Sequence, residues 1–348
     1  MQVRLMVVDD SAFMRKIISD AASEIEGVTV VGTARNGQDA IESIERYRPT
    51  VITMDIEMPK MNGIDALRII KKNHPDIQVI MLSSHSVEGS AVTMEALEEG
   101  AFDFIEKSSD RGDISFITSQ LETKLLTVNQ IDGKPDKKDK NTAVRTERKE
   151  VMGTFDYRRT KAIVMGASTG GPKVLFQIVR ALPRELDIPV FIVQHMPKGF
   201  TKSFADRLDS ECPLRVVEAE EGMLIESGTV YVAPGDYHMI IHGGRITLNQ
   251  NAKLHGVRPA VDFLFESASE KYGKDLLAIL FTGMGKDGAE GMEKIKALGG
   301  YTLAQSKETC VVYGMPGYAV TKGVVDEVLK PEEITEEIRK IVKVKKWN

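Results

Sequence analysis

Two sets of polar residues have types and spacings that could do chemistry. In the first, Asp9 and Asp10 directly follow an apolar run at 5–8, Asp55 follows the run 51–54, Ser83 follows 79–82, and Lys107 stands just after 102–105. If these runs are neighbouring parallel strands, side chains at their carboxyl ends converge on one crevice. Three carboxylates there repel one another and suit a hard divalent cation such as Mg²⁺, which prefers oxygen ligands. With a cation and Lys107 neutralising an incoming phosphate, Asp55 would attack phosphorus and Ser83 would hydrogen-bond the product oxygens. Any one of these residues could simply cap a helix, as Asp10 or Ser11 could. Five of them at four strand ends favour a phosphoryl site.

The second set lies further along. GASTGGP fits G-x-S-x-G with Gly166, Ser168 and Gly170 in register, between an apolar run and a helical pattern beginning near Val174. Small residues let the backbone turn sharply and lift Ser168 toward amides at a helix N-terminus. Alone the motif is weak, and an inert glycine-rich turn is an equal reading of it. A phosphate cradle is disfavoured, because no Lys-Ser or Lys-Thr pair follows. His195 in VFIVQHMP and Asp287 in AILFTGMGKDG sit at equivalent strand ends. Ser168 as nucleophile, His195 as general base then acid, and Asp287 orienting the imidazole would make an acyl-transfer site. The order Ser, His, Asp differs from the Ser, acid, His order of α/β-hydrolases. Gly283-Met284-Gly285 offers an unhindered backbone for an oxyanion hole. The other histidines carry plainer expectations. His238 and His242 lie in an alternating strand pattern and make no zinc motif, His74 and His85 are loop residues, and His255 lies in the cleft or on a surface loop. Met165, Met196, Met223, Met284 and Met315 read as core gap-fillers.

The elements that must position these residues recur with a regular rhythm. In the first 130 residues or so, short apolar runs alternate with helical stretches, predicting five strands and five helices in a doubly wound α/β domain. Residues 132–150 then carry 12 charged side chains among 19 and only Ala143 and Val144 as apolar members. Such a segment reads as a tether or an exposed helical connector. The βα rhythm returns in KAIVMGAS, PVFIVQH and DLLAILFTG, with further strands at 228–233, 238–242 and 245–248, the last two a hairpin about Gly243-Gly244. A mainly parallel sheet with a small antiparallel addition is expected, closed by a helix in PEEITEEIRKIVKVKK.

Composition narrows the classes. The chain has 348 residues, 42% apolar and 28% charged, with 46 Lys+Arg against 51 Asp+Glu. A net charge of −5 argues against a general nucleic-acid binder. The acidity is concentrated at the front, where residues 1–131 hold 13 cations and 21 anions, a net of −8. No apolar run approaches the roughly 20 residues of a membrane span. Cys212 and Cys310 make no disulfide framework, and no signal peptide opens the chain, so a cytoplasmic protein without membrane insertion is expected.

VVDDSAFMRKII, MDIEMPKMNGIDAL, MLSSHS and GAFDFIEK together resemble a two-component response-regulator receiver domain, flavodoxin-like in fold. The resemblance implies that Asp55 is the phosphoacceptor, supplied by a histidine kinase. It also implies that Asp9, Asp10 and Asp55 help hold Mg²⁺, and that Ser83, Phe104 and Lys107 are switch residues. Ser108 stands where the family usually has proline after the lysine. GASTGGP, VQHMP, YVAPGDYHM, FTGMGKDG and CVVYGMP, in this order, resemble the catalytic domain of the chemotaxis protein-glutamate methylesterase (CheB) family. That resemblance implies a catalytic Ser168, His195 and Asp287, a backbone oxyanion contribution at Met284 and Thr169 beside the nucleophile. It further implies hydrolysis of glutamate methyl esters and deamidation of glutamine on methyl-accepting chemotaxis receptors, with no cofactor for the esterase step. The expected division is a receiver at 1–128, a charged linker at 129–156 and the methylesterase domain at 157–348. A receiver joined to a hydrolase by a polar tether suits a gate that moves on phosphorylation. A non-catalytic binding module and a receiver-controlled transcription factor are the rival readings. The second needs a basic helix-turn-helix, which this sequence does not display.

Overall fold

The computed structural model describes residues 2–84, 86–107, 114–131 and 155–345. The first unit runs β1 (Val3–Val8), α1 (Ala12–Ser23), β2 (Val28–Ala34), α2 (Gly37–Tyr47), β3 (Val51–Asp55), α3 (Gly63–Asn73), β4 (Gln78–Ser84), α4 (Val87–Glu98), β5 (Asp103–Lys107) and α5 (Ile114–Ile131). Its strands pair in the order β2-β1-β3-β4-β5, all parallel. The chain reverses its direction of winding between β1 and β3, so a crevice opens at their carboxyl ends. Four helices begin on polar caps: Ser11, Asn36, Asn62 and Ser86 accept from the amides of Met14, Asp39, Asp65 and Gly89. Each such cap contributes about 1 kcal/mol. Because Ser11 performs this task for α1, Asp10 is not needed as a cap.

The second unit continues with β6 (Ala162–Ala167), α6 (Gly171–Arg180), β7 (Val190–Gln194), α7 (Phe200–Glu211), β8 (Arg215–Glu218), β9 (Thr229–Val232), β10 (His238–His242) and β11 (Arg245–Asn249). It is completed by α8 (Val261–Tyr272), β12 (Leu276–Leu280), α9 (Ala289–Ala297), β13 (Tyr301–Gln305), α10 (Met315–Lys322), β14 (Glu327–Leu329) and α11 (Pro331–Lys345). Seven strands form one sheet in the order β14-β13-β12-β6-β7-β9-β8, with every pairing parallel. β10 and β11 form a separate antiparallel hairpin. Central strands buried on both faces explain the continuous apolar runs. Along β6, Ile163 and Met165 join the core that holds α6, α7 and α11, while Ala162 and Val164 join the core that holds α8, α9 and α10. Strands β8, β13 and β14 were not anticipated; the first and last are short edge strands with little periodicity. Helix α6 also starts three residues earlier than expected. The expected tether at 132–150 and Ser108 lie outside the described residues.

The two units pack against each other through α4, which lies on α6 and α7. Phe104 of β5 stacks on Phe200 of α7 with ring centroids 4.5 Å apart. Glu98 pairs with Arg180 and Arg207, and both arginines also pair with Glu211. Val312 packs into the same core as Leu121 and Leu125 of α5.

The turn from β6 to α6 is the tightest constraint in the second unit. Gly170 has φ +76°, and a Cβ at Gly171 would strike the Gln194 side-chain oxygen and the Ala167 methyl. Replacing Gly171→Ala should therefore destabilise the protein by about 1–3 kcal/mol, read as a lower urea midpoint with unchanged m-value.

Candidate functional site

The parallel sheet of the second unit places its polar residues by strand order. Ser168 follows β6, His195 follows the neighbour β7 on one side, and Asp287 lies in the loop after the neighbour β12 on the other. The switch in winding direction falls between β6 and β12, so the crevice lies where these loops meet. The Ser168 backbone is pinned from both sides: its amide donates to Thr282 O at 3.0 Å, and its carbonyl accepts from Gly171 N at 2.7 Å and Gln194 Nε2 at 3.0 Å. The His195 amide donates to Ala167 O at 3.1 Å, which sets the histidine beside the serine turn.

His195 Nε2 and Asp287 Oδ2 are 2.7 Å apart, with Asp287 buried and His195 half-buried. Asp287 Oδ2 also accepts from Val261 N at 2.7 Å, and Oδ1 accepts from Asp262 N at 3.0 Å. Helix α8 has no cap from its own N-cap residue Ala260, so Asp287 caps it from a distant loop. Burial opposes the charge on Asp287, but the bond to His195 and the two amides hold its carboxyl below the ordinary carboxylate range. With Nε2 committed to Asp287, Nδ1 is the imidazole nitrogen left for a nucleophile. Among the described hydrogen bonds none joins Ser168 Oγ to His195; catalytic hydrogen bonds often tighten only in complex with substrate.

The amides of Gly283, Gly314 and Met315 are engaged with backbone carbonyls, whereas none of the described hydrogen bonds uses those of Met284 and Thr169. Both lie beside the Ser168 turn, where Gly283 approaches Ser168 so closely that a Cβ would collide with it. Met284 corrects the expectation of a core filler. Its side chain is 38% exposed, and its sulfur accepts from Thr127 Oγ1 of α5 at 3.1 Å. Thr169 Oγ1 donates to Asp103 Oδ2 of β5 at 2.9 Å, and Lys124 pairs with the same carboxylate. The first unit therefore touches both residues whose amides stand beside the Ser168 turn.

In the first unit, Asp9, Asp10 and Asp55 each bring a carboxylate oxygen within 4.8 Å of the others. Lys107 Nζ reaches Asp55 at 2.7 Å and Asp9 at 3.0 Å. Burial raises the Asp55 carboxyl to about 6, partly offset by Lys107 and reinforced by Asp9 and Asp10. Burial works against the charge on Lys107, but Asp55 and Asp9 outweigh it and raise its pKa. An all-oxygen donor set with a frustrated buried carboxylate fits a hard divalent cation. Among the described hydrogen bonds none joins Ser83 to Asp55. Its hydroxyl is buried against α4, accepting from Thr93 Oγ1 at 2.6 Å with Gly89 O at 3.2 Å. Phe104 is buried against Phe200.

The remaining histidines divide. His238 is buried, accepts from Ala260 N at 3.2 Å and stacks on Phe263, whereas His242 is exposed, so they form no pair. His255 Nε2 lies 3.5 Å from Asp262 Oδ2, against the site rather than on a remote surface. His85 lies outside the described residues. Asp103 and Asp262 were not singled out from sequence, since neither ends an apolar strand.

A family model for the CheB methylesterase matches residues 163–338, just over half of the chain, and one for the response regulator receiver domain matches residues 5–117. The chain belongs to the CheB methylesterase family. A relative from Thermotoga maritima is 43% identical over 344 residues, covering 98% of each chain, and one from Pyrococcus abyssi is 42% identical, covering 99% of this chain and 94% of its own. Both are named protein-glutamate methylesterase/protein-glutamine glutaminase. The crystal structure of the Thermotoga maritima CheB methylesterase catalytic domain superposes with TM-score 0.50 at 46% identity, covering 51% of this chain and 97% of that one. No helix among the described residues is long and apolar enough to cross a membrane.

The raised Asp55 carboxyl has a thermodynamic consequence. Between pH about 4 and about 6 the folded protein holds a proton that the unfolded chain has released, so stability falls as pH rises through that window. Asp55→Asn should thus stabilise the first unit by about 1–3 kcal/mol at pH 7.5 and by little at pH 4, measured by urea unfolding without divalent cation.

Proposed function

We propose that this chain is a phosphorylation-gated esterase that removes methyl groups from glutamate methyl esters on chemotaxis receptors and deamidates glutamine there. The observation that carries this reading is the meeting of Ser168, His195 and Asp287 at adjacent strand ends, with His195 Nε2 bonded to Asp287 at 2.7 Å. Ser168 Oγ attacks the γ-carbonyl carbon while its proton passes to His195 Nδ1. Asp287 holds the ring and stabilises the imidazolium. The backbone amides of Met284 and Thr169 receive the oxyanion at the N-terminal end of α6, whose dipole favours negative charge. His195 then returns the proton to the leaving methoxide, methanol departs, and water activated by the same histidine cleaves the glutamyl-serine ester. A glutamine side chain follows the same course with ammonia as the leaving group. Protein-glutamate methylesterase and glutaminase activities in the named relatives support this assignment.

The first unit receives phosphate on Asp55 from a histidine kinase. Asp9, Asp10 and Asp55 would hold Mg²⁺, which when bound offsets negative charge at the acceptor. Lys107 neutralises part of that charge and Ser83 turns from α4 toward the new phosphoryl oxygens. Lys107, Phe104 and Asp103 share β5, so a change at Asp55 reaches the strand that touches Thr169 and Phe200. In this reading the unphosphorylated receiver covers the crevice and phosphorylation loosens it.

With methyl-labelled receptor membranes, wild type should release methanol and Ser168→Ala should lower the rate by at least about 1,000-fold. Equal release by the two proteins would reject the esterase in favour of a binding module. Asp103→Ala, which frees Thr169, should raise unphosphorylated activity by about three- to tenfold. An unchanged basal rate would place the gate elsewhere.

A further inference from the structure

Asp262 has no part in the mechanism above, yet its surroundings are those of a catalytic accessory. It is 5% exposed and occupies the first turn of α8, beside the amide it donates to Asp287. Its Oδ1 accepts from Gly291 N at 2.8 Å. Its Oδ2 is buried without a hydrogen-bond partner among the described residues and faces His255 Nε2 at 3.5 Å. Ligand atoms of Asp262, Asp287 and His255 all lie within 4.8 Å of one another.

Two carboxylates this close in a water-poor pocket strongly resist ionising together. Asp287 has three N–H donors, from His195, Val261 and Asp262, so the charge settles there. Asp262 has fewer, the backbone N–H groups of Gly291 and Gly288, and none from a cationic side chain, so the proton settles on it. Burial and the adjacent Asp287 charge push its carboxyl up to about 7. The other titratable groups facing the pair are His195 and His238 on the Asp287 side and His255 on the Asp262 side, with Arg258 bearing on His238 and Glu290 on His255 in turn.

We propose that Asp262 is a positioning residue of the esterase: as the carboxylic acid it donates a hydrogen bond to Asp287 and fixes that carboxylate against His195. This inference rests on the esterase reading of Ser168, His195 and Asp287. When Asp262 ionises, the donor is lost and a second negative charge pushes Asp287 away from its place. An asparagine keeps the shape and a donor at every pH, and an alanine keeps neither.

The test measures kcat and KM for methanol release from methylated receptor membranes by the full-length protein, each variant compared with wild type at the same pH. That ratio cancels the receiver's own pH response. Asp262→Ala should lower kcat about tenfold with KM unchanged, and Asp262→Asn should recover most of that loss. The ratio of Asp262→Asn to wild type should rise about threefold between pH 6 and 8.5, a trend that a merely structural role would not produce. A ratio independent of pH, or a wild-type kcat in Asp262→Ala, would overturn the proposal. Infrared spectroscopy provides a second arm that does not depend on the folding of these variants or on turnover. In Asp55→Asn protein, a protonated-carboxyl band should disappear with a midpoint near pH 7, and its absence would also overturn the proposal. If wild type releases no methanol, or Ser168→Ala releases as much, the esterase reading fails, while the infrared arm still reads the proton on Asp262.

Discussion

The second unit is organised around one buried negative charge. A carboxylate removed from water is costly unless its lone pairs are met by donors, and Asp287 meets them with an imidazole and two amides. That requirement fixes three parts of the chain at once. The loop after β12 must run back over the sheet, α8 must begin where its first amides reach the loop, and the ring of His195 must lie in one orientation. The glycines at 283, 285 and 288 allow the loop to make that path, with Gly285 and Gly288 at positive φ. The same bonds settle which imidazole nitrogen is free, so the geometry of the charge is also the geometry of the chemistry.

The contact between the two units uses different physics. Phe104 on Phe200, together with Val312 among the leucines of α5, makes a small apolar seam. Glu98 and Glu211 bracket Arg180 and Arg207 at its edge. In the proposed gate this seam holds the orientation of the two units and strand β5 shifts it. At one end Lys107 answers to the carboxylates around Asp55, and at the other Asp103 answers to Thr169. The connection is five residues of backbone, which can transmit a small displacement without a long relay of side chains.

Much of the site was legible in the sequence because polar residues at the carboxyl ends of buried parallel strands have few other reasons to be there. Ser168, His195, Asp9 and Asp55 all carry that signature, and Asp287 sits in a glycine-rich loop that marks close backbone approach. Other features left no such trace. Met284 reads as one more core methionine, but its side chain is exposed against Thr127. Ser83 occupies the expected strand end, but its hydroxyl is turned into α4. Asp262 looks like an ordinary first-turn acid of a helix, and only the fold brings it beside Asp287. Strands β8 and β14 escaped notice because edge strands of three or four residues bury too little to impose a pattern.

By itself, then, the sequence determined the two βα rhythms, the charge division between them and the identity of the strand-end residues, since these depend on local periodicity and on which side chains can be buried. The tertiary structure decided what depends on the order of strands. It set the strand that leads to Ser168 between those that lead to His195 and Asp287, placed the seam of the receiver over Thr169 and Met284, and brought together two carboxyl groups 25 residues apart. Strand order and loop return are set by packing the whole sheet against both layers of helices. No stretch of sequence carries that information locally.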